Sequence, residues 1–562
     1  MIQLNNYSFL NRLFKVLVVF FCFVFSFVNT KFVFSQNGKP NQDEVNLVTS
    51  KNSIEVSTLE KPSLGSIGLK TEVNKMLGLD VWQGMNAKNI VEHLNYIPDI
   101  VTSKHLQIFL NDLYLSASNP PKGNSEEIIK FLETRLVKIK SSGQSEKLYQ
   151  LVKQLPKGKR WKLWQHWLIE YELLNRQDKK ACKQVNKKSK INADHFWQMA
   201  QIFCLSIDGK LSQSEFILDL IKSRGFSDWH FENLFKILNG EIKDYKIDDK
   251  KNKLKPLHII MMDTLKIPIK VNFIANLGIE YTDSLLSLTY LTPKARSFLL
   301  DKKINYNVVS SEQIIENYKS VSDGTADIVK AFANYKKKPN GFNRANIWLS
   351  IITLKEEIKK AESILKFIRL ETKNGRFYNA IDLYLPILEK INSASLTQDL
   401  NASIQKLKIA NQPNLYPEND LANILMLKKG KTWSWDLILE EKAWPIIPIL
   451  EQSQMKEPTS LRWLENVNSF KDKNFEEDQY NKWNNSFSVN KYILAKSIEE
   501  AANNDKKSLT VLLIARLISN NPLVDFDLVS LLKIRRALFK IGLDDLSKKI
   551  TLEVMTSKLI SL

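Results

Sequence analysis

Five times along this chain a stretch with helical apolar spacing closes on a glycine and resumes as a second helix-like stretch. RLVKIKSSGQSEKLYQLV turns at Gly143, IFCLSIDGKLSQSEFILDLI at Gly209 and LDLIKSRGFSDWHFENLF at Gly225. LKFIRLETKNGRFYNAIDLYLPIL turns at Gly375 and RRALFKIGLDDLSKKITLEVM at Gly542. A glycine just past a helix end takes the left-handed cap conformation without a Cβ penalty, so each stretch reads as two helices folded back on each other. Glycine is otherwise scarce: 17 in 562 residues, roughly 3% against a usual ~7%. Phosphate-cradling loops and tight strand turns both consume glycine, so the shortage weighs against dinucleotide-binding and β-rich folds. The pattern predicts an all-α fold, an irregular stack of helical hairpins in which each pair buries its apolar face against the next.

Capping residues support that reading. Asn86 precedes KNIVEHLNYI, Thr102 and Ser103 precede HLQIFLNDLYL, and Asn124–Ser125 open EEIIKFLETRLVKI with acids in the first turn. Thr292 sets a capping residue before Pro293 at a first helical position. The stretch 268–291, PIKVNFIANLGIEYTDSLLSLTYL, is read as helix, although its β-branched residues could make a short strand.

The N-terminus has a different character. Arg12 and Lys15 precede thirteen uncharged residues, Val16 to Val28, and VFSQ follows with Val33 and Ser35 where signal peptidase reads small residues. This predicts a secretory signal peptide over 1–35 and a mature start at Gln36. An uncleaved inner-membrane anchor is the alternative. Residues 36–64 are polar and read as a flexible tether. An N-terminal helical domain is expected over 65–243, a charged linker over 244–256 and a C-terminal helical array over 257–562.

The segment around Gly375 resembles a tetratricopeptide repeat. Gly375, Ala380, Ile381 and Tyr384 fall where that repeat has its turn and the small and aromatic residues of its second helix, while Ile364, Phe367 and Ile368 fit its first helix loosely. The match covers about 34 residues, and the hinges are too unevenly spaced for a strict array. The whole chain also resembles a group of uncharacterised exported bacterial helical-repeat proteins, a resemblance that implies no activity.

Export bears on the cysteines and the charge. After cleavage Cys182 and Cys204 remain, 22 positions apart, and an oxidising compartment favours a disulfide between them. Two buried thiols are the alternative, and a redox pair is disfavoured because no CxxC is present. The net charge of +20 is spread along the chain as a general lysine bias. If a dedicated face exists, export points it toward acidic proteins, peptidoglycan or anionic lipid and away from nucleic acid.

Chemical motifs are sparse. No phosphate loop, GxGxxG, GxSxG or HExxH occurs, and the six histidines are dispersed. His166 and Glu170 are four apart and read as a solvated pair, too few groups for a metal. The acid pairs Glu440–Glu441 and Glu476–Glu477 are adjacent, so they diverge by about 100° on a helix instead of flanking a substrate. Accordingly, no catalytic residue, cofactor or metal is expected. GKRWKLWQHWL, 158–168, carries three tryptophans three apart. A helical wheel places Trp161, Trp164 and Trp167 in one apolar arc with Leu163, Leu168, Tyr171 and Leu174. Lys162, Gln165, His166 and Glu172 fall opposite, with Ile169 and Leu173 hinting at a second contact face. The arc reads as core packing; a membrane-surface face and a sugar-stacking or peptide groove are the alternatives. A second tryptophan cluster at 432–450 reads the same way. Lys157, Lys159, Arg160 and Lys162 then remain as candidate partner contacts. The expectation is an exported, non-catalytic scaffold of the bacterial envelope. A peptidoglycan-binding or -processing factor and a membrane-surface protein held by its N-terminus are the alternatives.

Overall fold

The computed structural model describes residues 63–561 except 190–193, 244–252, 305, 307–309, 322–326, 412–488, 520–522, 524, 525 and 527. The signal segment, the tether up to residue 62, most of the charged run and the tryptophan cluster at 432–450 lie outside the described residues, as do both adjacent acid pairs. Among the described residues there are twenty-four α-helices and no strand.

The chain opens with α1 (Glu72–Leu77), α2 (Ala87–Tyr96), α3 (Lys104–Leu115) and α4 (Ser125–Ser141). Asn86, Ser103 and Asn124 cap the last three by accepting from the N–H groups of Asn89, Leu106 and Glu127. Next come α5 (Ser145–Val152), α6 (Lys162–Leu174), α7 (Asp178–Ser189), α8 (His195–Ile207) and α9 (Leu211–Ser223), each packed on the one before. They are followed by α10 (Trp229–Leu238), α11 (Pro256–Thr264), α12 (Val271–Ile274), α13 (Thr282–Leu286) and α14 (Pro293–Ile304). The stretch 268–291 therefore forms short helical pieces joined by turns, with half of its residues helical. Its β-branched start is used differently, in one isolated parallel bridge between Ile269 and Leu291. Further along are α15 (Ser311–Val321), α16 (Ile328–Lys337), α17 (Gly341–Ile352), α18 (Glu357–Lys373), α19 (Phe377–Leu388) and α20 (Gln398–Asn411). After the undescribed segment the chain ends in α21 (Val489–Asn503), α22 (Lys507–Ser519), α23 (Leu528–Lys540) and α24 (Asp544–Ser561).

All five hinge glycines sit in the left-handed region, with φ from 71° to 87°. At Gly375 the following N–H, of Arg376, reaches back to the Glu371 carbonyl at 2.8 Å, so the cap satisfies a carbonyl the helix end would leave open. Three further hairpins use the same cap without glycine. Arg176, Lys266 and Asp505 have φ of 55°, 60° and 51°, and the residue after each bonds back five positions in the same way.

Among the described residues, apolar side chains form three clusters. One joins Val73–Tyr171 to residues of the last four helices, Ala495–Val554. A second runs from Ile169 to Leu299, including residues on both sides of the 244–256 run. The third extends from Ile304 to Leu407 and contains the repeat-like hairpin, where Ala380, Ile381 and Tyr384 are buried together with Ile364, Phe367 and Ile368. That hairpin is tied to α14 and α17 by a buried ion network. Arg344 binds Glu371 and Asp301, each at 2.8 Å, and Arg376 binds Asp301 at 3.0 Å.

The last helices return to the first ones. α22 packs on α2, and α24 packs on α3, α18 and α20. At the α24–α3 contact the fully buried Glu553 accepts from the Ser103 hydroxyl and from the His105 backbone N–H at 3.0 Å, so an acid from the chain's end sits on the amino end of α3. Arg135 is likewise buried, but with carbonyls as partners. It donates to Tyr114, Ser116 and Gly65 and so fixes the chain's first described turn against α4. With no carboxylate beside it, burial pulls its guanidinium down to about 10.

Candidate functional site

The tryptophan-rich stretch folds as a 3₁₀ turn, Lys159–Trp161, leading into α6. Such a turn advances 120° per residue instead of 100°, so a wheel counted from Trp161 drifts before the α-helix begins. Trp161 and Trp167 are buried as the arc requires, but Leu163, at the arc's edge, is 77% exposed. The opposite side is not free either. Ile169 and Leu173 are buried in the second apolar cluster, and Glu172 is 1% exposed. Consequently α6 is sandwiched, with Trp167 and Tyr171 facing the first cluster and Ile169 and Leu173 the second.

Between those faces lies a cleft of about 220 Å³. Val152 and Leu155 at the end of α5 form one wall, Trp161, Trp164 and Leu168 the second, and Trp197 of α8 lies at its far side. Trp161 and Trp197 are buried, whereas Trp164 is only half-buried. Lysines line the same cleft: Lys153 and Lys157 from the loop, Lys180 and Lys188 from α7. The inner acid, Glu172, is already satisfied. It accepts from the Tyr149 hydroxyl at 2.9 Å and from Gln184 at 2.7 Å, and pairs with Lys180 at 2.9 Å. The Tyr149 bond raises the Lys180 ammonium above its ordinary range. Lys153 lies over the Tyr149 ring at 5.3 Å, and Lys188 donates to Gln165 Oε1 at 3.0 Å. The side chain of Gln165 also lines the cleft, and its amide nitrogen is buried with no acceptor among the described residues.

The four candidate contact residues therefore separate. Lys157 lines the cleft and Lys159 is exposed beside it. Arg160 is spent within the chain, binding Glu126 through both terminal nitrogens at 2.7 and 2.8 Å and Glu133 at 2.7 Å. Lys162 pairs with Asp194 at 2.7 Å. The expected His166–Glu170 pair does not form, because α6 has neighbours on both flanks. His166 faces Asp194 at 3.0 Å and stacks on Phe196 with ring centres 4.1 Å apart. Burial nevertheless holds its imidazole below the usual range. Glu170 instead accepts from the Tyr281 hydroxyl at 2.5 Å, and desolvation pushes its carboxyl up to about 7.

Cys182 of α7 and Cys204 of α8 are joined by a disulfide, with Cα atoms 5.6 Å apart. It ties the helix carrying Lys180 and Lys188 to the helix carrying Trp197.

Two other polar clusters have residue types used in catalysis, and in each the groups serve helix starts. Ser103, His105 and Glu553 lie together, but Ser103 and Glu553 are fully buried and the serine hydroxyl donates to the acid while accepting from Leu106 N–H at 3.2 Å. The His105 ring is 3.9 Å from that acid, and burial lowers it to about 4. Asp228 caps α10, receives Lys255 at 3.0 Å and sits 3.3 Å from His258 Nε2, all against the fully buried His258 and His230. The Lys255 backbone N–H donates to His258 Nδ1, which fixes the proton on Nε2 facing Asp228. Among the described residues no group of three or more His, Cys, Asp or Glu could hold a metal ion. Nor is any helix among them long and apolar enough to cross a membrane.

Comparison with known protein families, with curated proteins and with solved structures finds no match for this chain.

Proposed function

We propose that this chain is an exported, non-catalytic scaffold of a bacterial cell envelope, whose irregular, TPR-like helical-hairpin body holds partner proteins on its surface. The observation that carries the reading is the cleft beside α6. It offers partly open tryptophan under a rim of ammonium groups, and its one acid is held by Tyr149, Gln184 and Lys180. Such a site grips an apolar group beside negative charge and has no free base or nucleophile to act on it. Export is supported by the N-terminal segment, with Arg12 and Lys15 before its apolar run, and is compatible with the Cys182–Cys204 disulfide.

Incubation with purified peptidoglycan separates this reading from a cell-wall function. The scaffold reading expects no soluble muropeptide release and no co-sedimentation. Release would make the protein an enzyme, and sedimentation without release would make it a wall-binding accessory; either result overturns the proposal.

A further inference from the structure

The cleft is small for a cofactor. Its volume of about 220 Å³ falls below the ~300–1,000 Å³ of ordinary small-molecule sites. It is large enough for one bulky side chain. The walls that such a side chain would meet are Leu155, Leu168 and the two tryptophans of the α6 start. Around it the charge is one-sided. Glu172 and Lys180 neutralise each other at 2.9 Å, which leaves Lys153, Lys157 and Lys188 without a carboxylate partner among the described residues. Among the described residues, Lys153 meets the Tyr149 ring and Lys188 the neutral Gln165.

We propose that this cleft is an anchor site for an acidic peptide segment of a partner protein. One aromatic or branched apolar side chain enters between Leu155, Trp161, Trp164 and Leu168, and carboxylates on its flanks meet Lys153, Lys157 and Lys188. The inference rests on the partner-binding reading and gives it a recognition chemistry. The apolar anchor supplies burial, and the flanking charges supply orientation and a salt-dependent encounter rate. The disulfide between α7 and α8 belongs to the site, because it keeps Lys188 and Trp197 in register across the cleft.

Calorimetric titration of the full chain with acetylated, amidated Asp-Glu-Phe-Glu-Asp tests the proposal, with Asp-Glu-Ala-Glu-Asp and Lys-Lys-Phe-Lys-Lys as controls. The acidic phenylalanine peptide should bind, its alanine analogue about tenfold more weakly or worse, and the basic peptide not at all. Lys157→Glu and Lys188→Glu should each weaken the first peptide about tenfold. Trp164→Ala should do the same, while Lys366→Glu, on α18, should leave binding unchanged. Unaltered far-UV circular dichroism establishes that the variants are folded. Equal binding of all three peptides, no binding of any, or binding indifferent to Lys157 and Trp164 overturns the inference. So does a neutral muropeptide or an anionic vesicle of phosphatidylglycerol that binds with the same Lys157 and Trp164 dependence in place of the peptide. If envelope proteins are still retained by the Lys157→Glu and Trp164→Ala variants, the scaffold reading stands and this site assignment falls.

Discussion

Replacing Glu553 by glutamine should change how stability depends on pH, by an amount the structure supplies. The carboxyl is fully buried at the start of α3, and desolvation raises its pKa from 4.5 to about 7 despite the bonds from Ser103 and the His105 backbone. In the unfolded chain the same group titrates near its ordinary value. A folded pKa above the unfolded one means that the fold favours the protonated acid. This contribution is therefore fully present below pH 4.5, is lost as pH rises to about 7, and is constant above. At 1.36 kcal/mol per pH unit, the loss is about 3 kcal/mol. His105 works in the opposite direction, since its folded pKa of about 4 lies below its ordinary 6.5 and favours stability as pH rises through that window. Glu170 adds a loss of its own between 4.5 and about 7. Glu170 is common to wild type and Glu553→Gln and cancels in the difference, whereas His105, 3.9 Å from Glu553, adds its coupling to that acid to the difference. Urea unfolding followed by far-UV circular dichroism at pH 4.5, 5.5, 6.5 and 7.5 reads that difference. The stability of wild type relative to Glu553→Gln should fall by about 3 kcal/mol across the series. A difference constant to within about 0.5 kcal/mol would refute the argument that burial controls this carboxyl.

Three other outcomes follow from the same geometry. Gly375→Ala should destabilise by about 1–2 kcal/mol, because alanine must adopt φ 71°, whereas Lys266→Gly should stabilise by up to about 1 kcal/mol by relieving a non-glycine cap; thermal denaturation of both variants checks the opposite signs. The Cys182–Cys204 bond should leave no thiol reactive toward iodoacetamide without reductant, and its loss in a double Cys→Ser variant should cost about 3 kcal/mol from loop closure; two thiols alkylated in the native, unreduced protein would contradict it. Edman sequencing of the protein recovered from an envelope fraction should begin at Gln36, and a start at Met1 would replace export through a cleaved leader by an uncleaved anchor.

The hinge glycines were readable because glycine is the one residue for which the left-handed cap is unstrained. The turns at Arg176, Lys266 and Asp505 adopt the same conformation with side chains that carry no such signal, so three hairpins were not legible. Caps at Asn86, Ser103 and Asn124 depend on neighbours three residues away and were legible for that reason. Contacts distant in sequence were not. Glu553 meets Ser103 across 450 positions, and nothing local to either residue marks the pairing. The tryptophan stretch shows both cases. Periodicity turned Trp161 and Trp167 inward, but it could not reveal that α7 would bring Lys180 and Lys188 to the same cleft. Nor could it show that Glu126 and Glu133 would occupy Arg160.

The scaffold reading is tested most directly by comparing proteins retained from an envelope extract by the wild-type chain and by a Lys157→Glu/Trp164→Ala variant, at low and at high salt. The account predicts a defined set of acidic proteins held by wild type at low salt and lost both in the variant and at high salt. No retained protein at all would contradict the scaffold reading, whereas identical retention by the two proteins under both conditions would contradict the cleft as its binding site.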